Sequence, residues 1–363
     1  MKIKEVNTLV LEKYYQQLLR TKAVPKKSFG KEIKKKLKFV SASTVKDIHK
    51  ILRSCFVQAE KWDLIEKNPC TNASVPKVVS QKREIWTADT LFKALSVCED
   101  DRLKLAINLT FSCSLRIGEL LGLTWDCVDI SDESMQNETP SIQINKEIIR
   151  VNRSSVEALD KKDVIAIFPS SSKETSTIQI LKTPKTTSSI RKVFLPKSVA
   201  EMLKEWKLKQ DAEKDLLGNE YLDYNLVFAG PFGTPVEGST IRNSLKTLIE
   251  ENDLPPIVFH SLRHSSITYK LKLNGGDIKA VQGDSGHSQA QMVTDQYSHI
   301  LDEGRVNNAR LFEDAFYGKK NEKQAQPDLS ALAGIDIEKL NSILQNPEIM
   351  TLLQALGQKS TTG

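Results

Sequence analysis

The chain has 363 residues, of which 39% are hydrophobic and 27% are charged. At roughly 100–200 residues per domain, this length predicts two domains with a short extra segment. The composition excludes a collagen-like, low-complexity or wholly disordered chain. No window approaches the roughly 20 apolar residues of a membrane-spanning helix, and charges interrupt the N-terminal stretch that a signal peptide would need to be apolar. We therefore expect a globular protein of the cytoplasm.

The positive charge is concentrated at one end of the chain. The net charge is +6, but residues 1–40 hold twelve Lys/Arg and only three acids, so the rest of the chain carries a small excess of acids. This asymmetry indicates a polyanionic partner, either nucleic acid or an anionic membrane surface, unless the lysines form only a solvated face.

The cysteines contain no C-x-x-C pair, and their number is odd. This pattern predicts reduced thiols in the core, and neither a disulfide framework nor a zinc site. The five residues are Cys55, Cys70, Cys98, Cys113 and Cys127.

The first segment predicts two helices separated by a basic loop. The first spans residues 7–19, and the second follows the N-cap candidates Ser41, Ser43 and Thr44 and ends before Asn68. A stretch with Pro and Lys then predicts an interdomain linker. The second helix has one apolar stripe, formed by Val45, Ile48, Leu52, Cys55, Phe56, Ala59 and Trp62.

The rest of the chain predicts a mainly α domain with a small inserted antiparallel β-sheet. Helical periodicity is found at residues 88–99, 101–115, 198–210, 239–252 and from 261 onward. Strand patterns separated by polar turns occupy residues 141–152, 163–168, 176–183 and 191–196. After Lys319 a hinge is followed by two short amphipathic helices, which could pack on their own domain or on a neighbouring subunit.

Several residues could perform chemistry on a phosphodiester. Arg116 stands in an apolar stretch, where a guanidinium needs an anion or a structural ion pair, and Glu119 lies three residues on. His260 and His264 would share one helix face, but the absence of a Glu after His260 and the presence of Arg263 argue against zinc. Arginines, histidines and a tyrosine instead form a metal-free set, because guanidinium forks match phosphate oxygens and imidazoles move protons.

Four motifs resemble, in type and order, those of the tyrosine recombinase (phage integrase) family. They are R-I-G-E-L-L-G-L from Arg116, H-S-L-R-H from His260, G-H-S from Gly286 and Q-Y-S-H-I around Tyr297. The segment 184–196 resembles the family's hairpin with the catalytic lysine, which implies Lys185, with Lys182 as its rival. In one departure from the family's pattern, Ser285 replaces the usual apolar residue before Gly-His.

The resemblance implies a reaction without metal, nucleotide or other cofactor. Tyr297 would attack the phosphate and form a 3′-phosphotyrosyl bond, while His260 takes its proton. Lys185 would protonate the departing 5′ oxygen, and the remaining residues would bind the phosphate. The implied catalytic set is Arg116, Lys185, His260, Arg263, His287 and Tyr297. His264, Glu119 and Trp125 are interpreted as support around the site.

The resemblance also implies a domain plan and partners. Residues 1–75 would form an N-terminally incomplete core-binding helical domain, 76–86 a linker, 87–318 the catalytic domain and 319–363 a hinge and helical tail. The partners would be double-stranded DNA, other copies of the chain in a tetrameric synapse joined through the tail, and accessory directionality or bending proteins, with no membrane. The lysines expected on DNA are Lys22, Lys26, Lys27, Lys34, Lys35 and Lys36.

Among relatives, integrases of temperate phages and integrative conjugative elements are the most similar, which predicts integration or excision of a mobile element. Two alternatives remain at this point. One is a type IB topoisomerase-like enzyme that relaxes supercoils alone, and the other is a non-catalytic DNA-binding relative that occupies recombination sites.

Overall fold

The chain divides into two compact units, an N-terminal unit (Met1–Arg83) and a C-terminal unit (Glu84–Gly363). The computed structural model describes residues 1–23, 38–78, 84–158, 161–169, 175–291 and 293–294. The boundary between the units falls inside the segment 76–86 that the sequence predicts as a linker. Within the described ranges, no helix is both long and apolar enough to cross a membrane.

Both predicted α-helices are present in the described part of the N-terminal unit. They are α1 (Thr8–Leu19) and α2 (Ala42–Lys61). The side chain of Asn7 accepts a hydrogen bond from the Val10 amide at 3.0 Å and so begins α1. Of the three N-cap candidates for α2, Ser41 takes this role and accepts from the Thr44 amide at 3.2 Å.

The buried stripe of α2 differs from the predicted one, because it includes His49 and leaves out Cys55 and Trp62. It runs through Val45, His49, Phe56 and Ala59, with the Tyr15 hydroxyl 2.9 Å from His49 Nδ1. Cys55 is exposed because its position lies about 100° around the helix from Phe56, outside this stripe. Trp62 is 66% exposed, since it follows the last helical residue. The prediction of five core thiols is therefore wrong for Cys55, whereas the other four cysteines are buried.

The C-terminal unit confirms the predicted fold class, mainly α with small antiparallel sheets. Its helices are α3 (Ala88–Val97), α4 (Asp101–Cys113), α5 (Ile117–Leu121), α6 (Asp132–Gln136), α7 (Arg153–Ala158), α8 (Lys197–Leu217), α9 (Gly238–Glu251), α10 (Phe259–Leu273) and α11 (Ile278–Ser285). Its strands are β1 (Val128–Asp129), β2 (Ser141–Ile144), β3 (Glu147–Asn152), β4 (Val164–Ile167), β5 (Thr177–Lys182) and β6 (Arg191–Phe194).

The strands form two three-stranded antiparallel sheets, not the single sheet predicted. Their orders are β1-β2-β6 and β3-β5-β4. The segment predicted as one strand over 141–152 is therefore two strands in different sheets. Lys146 holds the chain at the break, because its ammonium donates to Thr124 Oγ1 and to Asp126 Oδ2, both at 2.7 Å.

A close approach of α5 to β3 fixes the position of the first arginine motif. A Cβ on Gly122 would lie 2.7 Å from the Glu147 Cα, so only glycine lets the helix rest on the strand backbone. Helix α4, which leads into this motif, packs against α8, α9 and α10. The short helix α5 is thereby held between a strand and the main helical core, and Arg116 directly precedes it.

Candidate active site

Glu119 holds Arg116 at the start of α5. The Arg116 amide donates to Glu119 Oε2 at 3.0 Å, and its guanidinium donates to Oε1 at 2.6 Å. The Glu119 side chain is 2% exposed, whereas that of Arg116 is 37% exposed. The carboxylate thus fixes both the backbone and one edge of the guanidinium, and the rest of the guanidinium can meet a ligand.

A second arginine, Arg191, is bound to the same carboxylate. It donates from Nη2 to Glu119 Oε2 at 2.9 Å and from Nη1 to Oε1 at 3.3 Å. It also donates to the carbonyls of Ser189 at 3.0 Å and Asp284 at 2.7 Å. The sequence analysis did not assign Arg191 to the site. The sequence feature that could have identified Arg191 is its charge at an inward-facing position of β6, where buried and exposed residues alternate.

Arg263, on α10, is 1% exposed and completes the set of guanidinium groups. Its Nη1 lies 4.0 Å from Glu119 Oε2 and also donates to the Ser114 carbonyl, and its Nη2 donates to the Ser285 carbonyl at 2.6 Å. Ser114 ends α4 in the left-handed conformation, with a φ of 54°, which turns its carbonyl toward Arg263. The structure therefore brings the two predicted phosphate-binding arginines to one carboxylate.

We call Arg116, Glu119, Arg191, Arg263 and His287 the arginine cluster. Burial alone would raise the pKa of Glu119, but the hydrogen bonds and charges of Arg191 and Arg116 outweigh it and lower that pKa. Glu119 is therefore ionised at neutral pH. Since three guanidinium groups face one carboxylate, the cluster keeps an excess of positive charge that favours an anion.

His287 lies against Arg263 and is buried. Its Nε2 is 3.3 Å from Arg263 Nη2, and its Nδ1 is 2.8 Å from Ser285 Oγ. Burial and then the charges of Arg263 and Arg116 lower the pKa of His287 to about 4. The imidazole is therefore neutral at pH 7.

Gly286 explains why glycine precedes this histidine. It ends α11 with a φ of +64°, in the left-handed region that favours glycine. A Cβ at this position would lie 2.8 Å from Arg191 Nη1 and 3.0 Å from the Ser188 carbonyl oxygen. A larger residue would displace Arg191 from Glu119, so the turn before His287 and the ion pair depend on each other.

The two remaining predicted histidines lie together on α10, on one face as expected. Their rings are T-shaped at 88° with centroids 4.7 Å apart. His260 is exposed in the first turn, and His264 is buried behind it. Among the residues that the structure describes, no group of three or more His, Cys, Asp or Glu side chains is arranged to hold a metal ion.

The two candidate lysines differ in their surroundings. Lys182, at the end of β5, is 15% exposed and lies 3.5 Å from Glu147 Oε1. Lys185 is exposed in the connection between β5 and β6. The expectation that it lies on a hairpin is wrong, because β5 pairs with β3 and β4 while β6 pairs with β2. Strand β5 packs Ile178 and Ile180 in a small satellite cluster that β6 does not enter, although Leu181 of β5 reaches the main core that Val193 of β6 shares.

Some predicted site residues lie outside the described ranges, and the predicted nucleophile Tyr297 is one of them. The whole tail 319–363 also lies outside these ranges. Lys22 is described and exposed. The other lysines predicted to contact DNA, which lie outside the described ranges, are Lys26, Lys27, Lys34, Lys35 and Lys36.

We predict that Arg191→Met destabilises the protein by about 3–5 kcal/mol, because it leaves Glu119 as a buried charge without its main partner. The matched control is Arg150→Met, which removes an arginine paired with Glu237 at the surface, where the side chains are 41% and 38% exposed. This control should cost no more than about 1 kcal/mol. Urea unfolding of both full-length variants measures the difference, and equal losses would contradict a central role for the Arg191–Glu119 pair.

Comparison with known proteins identifies the family of the chain. The sequence model of the Phage integrase family matches residues 87–303, more than half of the chain. A tyrosine recombinase XerC-like protein of Caldanaerobacter subterraneus subsp. tengcongensis is 27% identical over 325 residues, which are 87% of this chain and 73% of that protein. The ICEBs1 integrase of Bacillus subtilis is 25% identical over 263 residues, 72% of this chain and 62% of that protein.

Solved structures have the same fold. The Tn1549 transposon integrase in complex with a circular intermediate DNA superposes with a TM-score of 0.62 at 19% identity, covering 85% of this chain and 86% of that one. The XerH site-specific recombinase bound to its palindromic difH substrate superposes with a TM-score of 0.53 at 16% identity, covering 87% and 74%. With the family match over its C-terminal unit and the ordered arginine and histidine motifs that meet there, the chain belongs to the phage integrase family and is a tyrosine recombinase of the integrase type.

Proposed function

We propose that this recombinase cleaves and rejoins double-stranded DNA at specific sites through a 3′-phosphotyrosyl intermediate, and so integrates or excises a mobile element. One observation carries the proposal. Arg116 and Arg263 meet at the buried Glu119 carboxylate, a neutral His287 lies 3.3 Å from Arg263, and Arg116 is still one-third open to solvent. This arrangement suits one DNA phosphate.

In this proposal the arginine cluster binds the scissile phosphate. The guanidinium groups of Arg116 and Arg263 donate to the non-bridging oxygens and stabilise the charge that develops in the pentavalent transition state. Glu119 fixes the Arg116 guanidinium, and the carbonyls of Ser114 and Ser285 fix that of Arg263, so little reorganisation is needed during the reaction. His287 adds a hydrogen bond to the same phosphate.

Tyr297 supplies the nucleophile. A phenol with an ordinary pKa near 10 is only about one part in a thousand ionised at pH 7, which is a handicap of about 4 kcal/mol. His260 is exposed on the first turn of α10, one turn before Arg263, and can accept this proton. The tyrosine oxygen then bonds to phosphorus as the bond to the 5′ oxygen breaks, and a second DNA 5′-hydroxyl can reverse the step.

Lys185 is the proposed acid for the departing 5′ oxygen. Lys182 is largely covered and lies beside Glu147, which keeps its ammonium on the sheet. Lys185 is exposed in a connection whose Ser189 carbonyl is tied to Arg191 of the arginine cluster. The exposed ammonium of Lys185 can therefore reach a bound DNA strand.

The wider assembly is proposed from the sequence and from relatives. The Tn1549 transposon integrase and the XerH recombinase were both solved with DNA, which supports DNA as the substrate here. Lys22 and the neighbouring basic residues 26–36 would contact DNA phosphates, with a steep salt dependence. The tail 319–363 would join several copies on DNA, with accessory proteins setting direction. The activity would then be located in the cytoplasm beside the chromosome.

We predict that the full-length protein forms a covalent adduct with a nicked suicide substrate carrying the boundary sequence of its element, in buffer containing EDTA. Tyr297→Phe should abolish the adduct and leave DNA affinity unchanged, because only the nucleophilic oxygen is lost. A denaturing gel measures the adduct, and a gel shift measures affinity. An adduct that persists in Tyr297→Phe would contradict the assignment, and tight binding without any adduct would favour the non-catalytic alternative.

A second prediction separates the two lysines. Lys185→Ala should slow adduct formation at least about 100-fold, the lower end of the range that one general acid supplies. A substrate with sulfur in place of the scissile 5′ oxygen should restore its rate, because a thiolate leaves without a proton. Lys182→Ala is the matched control. It should form the adduct at the wild-type rate, and the sulfur substrate should not speed it further. Rescue of Lys182→Ala instead would assign the acid to that residue.

A further inference from the structure

Ser285 is buried beside the predicted phosphate ligand His287. It is the last residue of α11 and has no exposed surface. The family resemblance implies an apolar residue at this position. A hydroxyl there needs a partner, and its Oγ lies 2.8 Å from His287 Nδ1.

The donors and acceptors around the imidazole determine where its proton lies. A guanidinium group only donates, so His287 Nε2, which is 3.3 Å from Arg263 Nη2, accepts through its lone pair. A neutral imidazole then carries its hydrogen on Nδ1, and this N–H donates to Ser285 Oγ. The Ser285 hydroxyl in turn can donate to the Gln282 carbonyl at 3.4 Å. In this series of hydrogen bonds from Arg263 to Gln282, each donor faces an acceptor.

We propose that Ser285 is a positioning residue for His287: Arg263 selects the Nδ1–H tautomer, and the Ser285 hydroxyl accepts from that N–H and holds the ring with its Nε2 lone pair toward Arg263. The tautomer does not depend on the proposed function. Only its consequence for DNA cleavage rests on that function.

The surroundings favour the neutral imidazole until an anion arrives. His287 faces Arg263 and His264 from α10, Arg116 from the start of α5 and Arg191 from β6. The Asp284 carboxylate on α11 is paired with Lys270. A DNA phosphate at the arginines would place negative charge beside Nε2, which could then gain a proton and donate to the phosphate. Ser285 Oγ would still accept from Nδ1–H in this cation, whereas an apolar residue would offer no acceptor.

The variant Ser285→Ala isolates the hydroxyl. The backbone carbonyl of Ser285, which accepts from Arg263 Nη2 at 2.6 Å, stays in place. The matched control is Ser265→Ala on α10, which removes another fully buried hydroxyl, one that donates to the Ser261 carbonyl at 3.1 Å. Ser285→Thr is the conservative variant that keeps an oxygen near Nδ1.

The first measurement is the tautomer of His287 and the solvent exchange of its ring N–H in the full-length protein without DNA at pH 7, by multiple-bond NMR with ¹⁵N-labelled histidine. The chain has five histidines, and His287→Gln identifies the relevant signal. We expect Nδ1–H in the wild type and in Ser265→Ala, with a proton that exchanges slowly with solvent because Ser285 Oγ accepts it. In Ser285→Ala this N–H has lost its acceptor, so we expect its proton to exchange with solvent measurably faster. Nε2–H in the wild type, or an unchanged exchange rate in Ser285→Ala, would overturn the proposal.

The second measurement is covalent adduct formation on the suicide substrate. Ser285→Ala should slow it about 10-fold, the usual worth of one neutral hydrogen bond at the upper end, and Ser285→Thr should recover part of the rate. A wild-type rate in Ser285→Ala would refute the catalytic consequence. If the wild type itself forms no adduct, the proposed function fails while the NMR result still decides the role of Ser285.

Discussion

One buried carboxylate determines the geometry of this site. Both Glu119 oxygens accept hydrogen bonds from the Arg191 guanidinium, and they also accept from the backbone amide and the guanidinium of Arg116. Glu119 Oε2 lies 4.0 Å from Arg263 Nη1. An arginine side chain in a dry core is costly unless it meets an anion, so without Glu119 the three guanidinium groups would repel one another. The charge that remains after this pairing is positive, and Arg116 is partly open to solvent. In the proposed reaction, the interaction that stabilises the fold would also prepare the site for a phosphate.

The carboxylate also joins segments that are far apart in sequence. Arg191 connects the Glu119 carboxylate to two backbone carbonyls. One is that of Ser189, which follows the exposed Lys185, and the other is that of Asp284, which precedes the turn at Gly286. Gly286 allows this because it has no Cβ to displace the Arg191 guanidinium. The strand, the short helix and the turn are thus held by hydrogen bonds to one arginine. Movement of any of them would change the position of Arg263 and His287.

The sequence predicted most of this arrangement where local rules apply. Helix periodicity and caps located α1 and α2, and the ordered motifs singled out Arg116, Arg263 and His287, which the structure brings together. Pairing between distant strands was not predictable, because it depends on which core each strand buries, and so two sheets replaced one and Lys185 lies on no hairpin. The role of Arg191 was missed for the same reason, since its partner lies 72 residues away. Ser285 was visible only as a departure from the family pattern until its contact with His287 gave it a role.

Glu119 positions the arginines and does more than balance their charge. The variant Glu119→Asp separates these two roles, because it keeps the charge and withdraws the carboxylate by one methylene. The measurement is the rate of covalent adduct formation by the full-length variant, with Glu237→Asp at an exposed ion pair as the control. We expect a folded protein that binds DNA normally but cleaves it about 100-fold more slowly, as for a displacement of about 1 Å. Cleavage at the wild-type rate by a folded Glu119→Asp protein would refute the positioning role of Glu119.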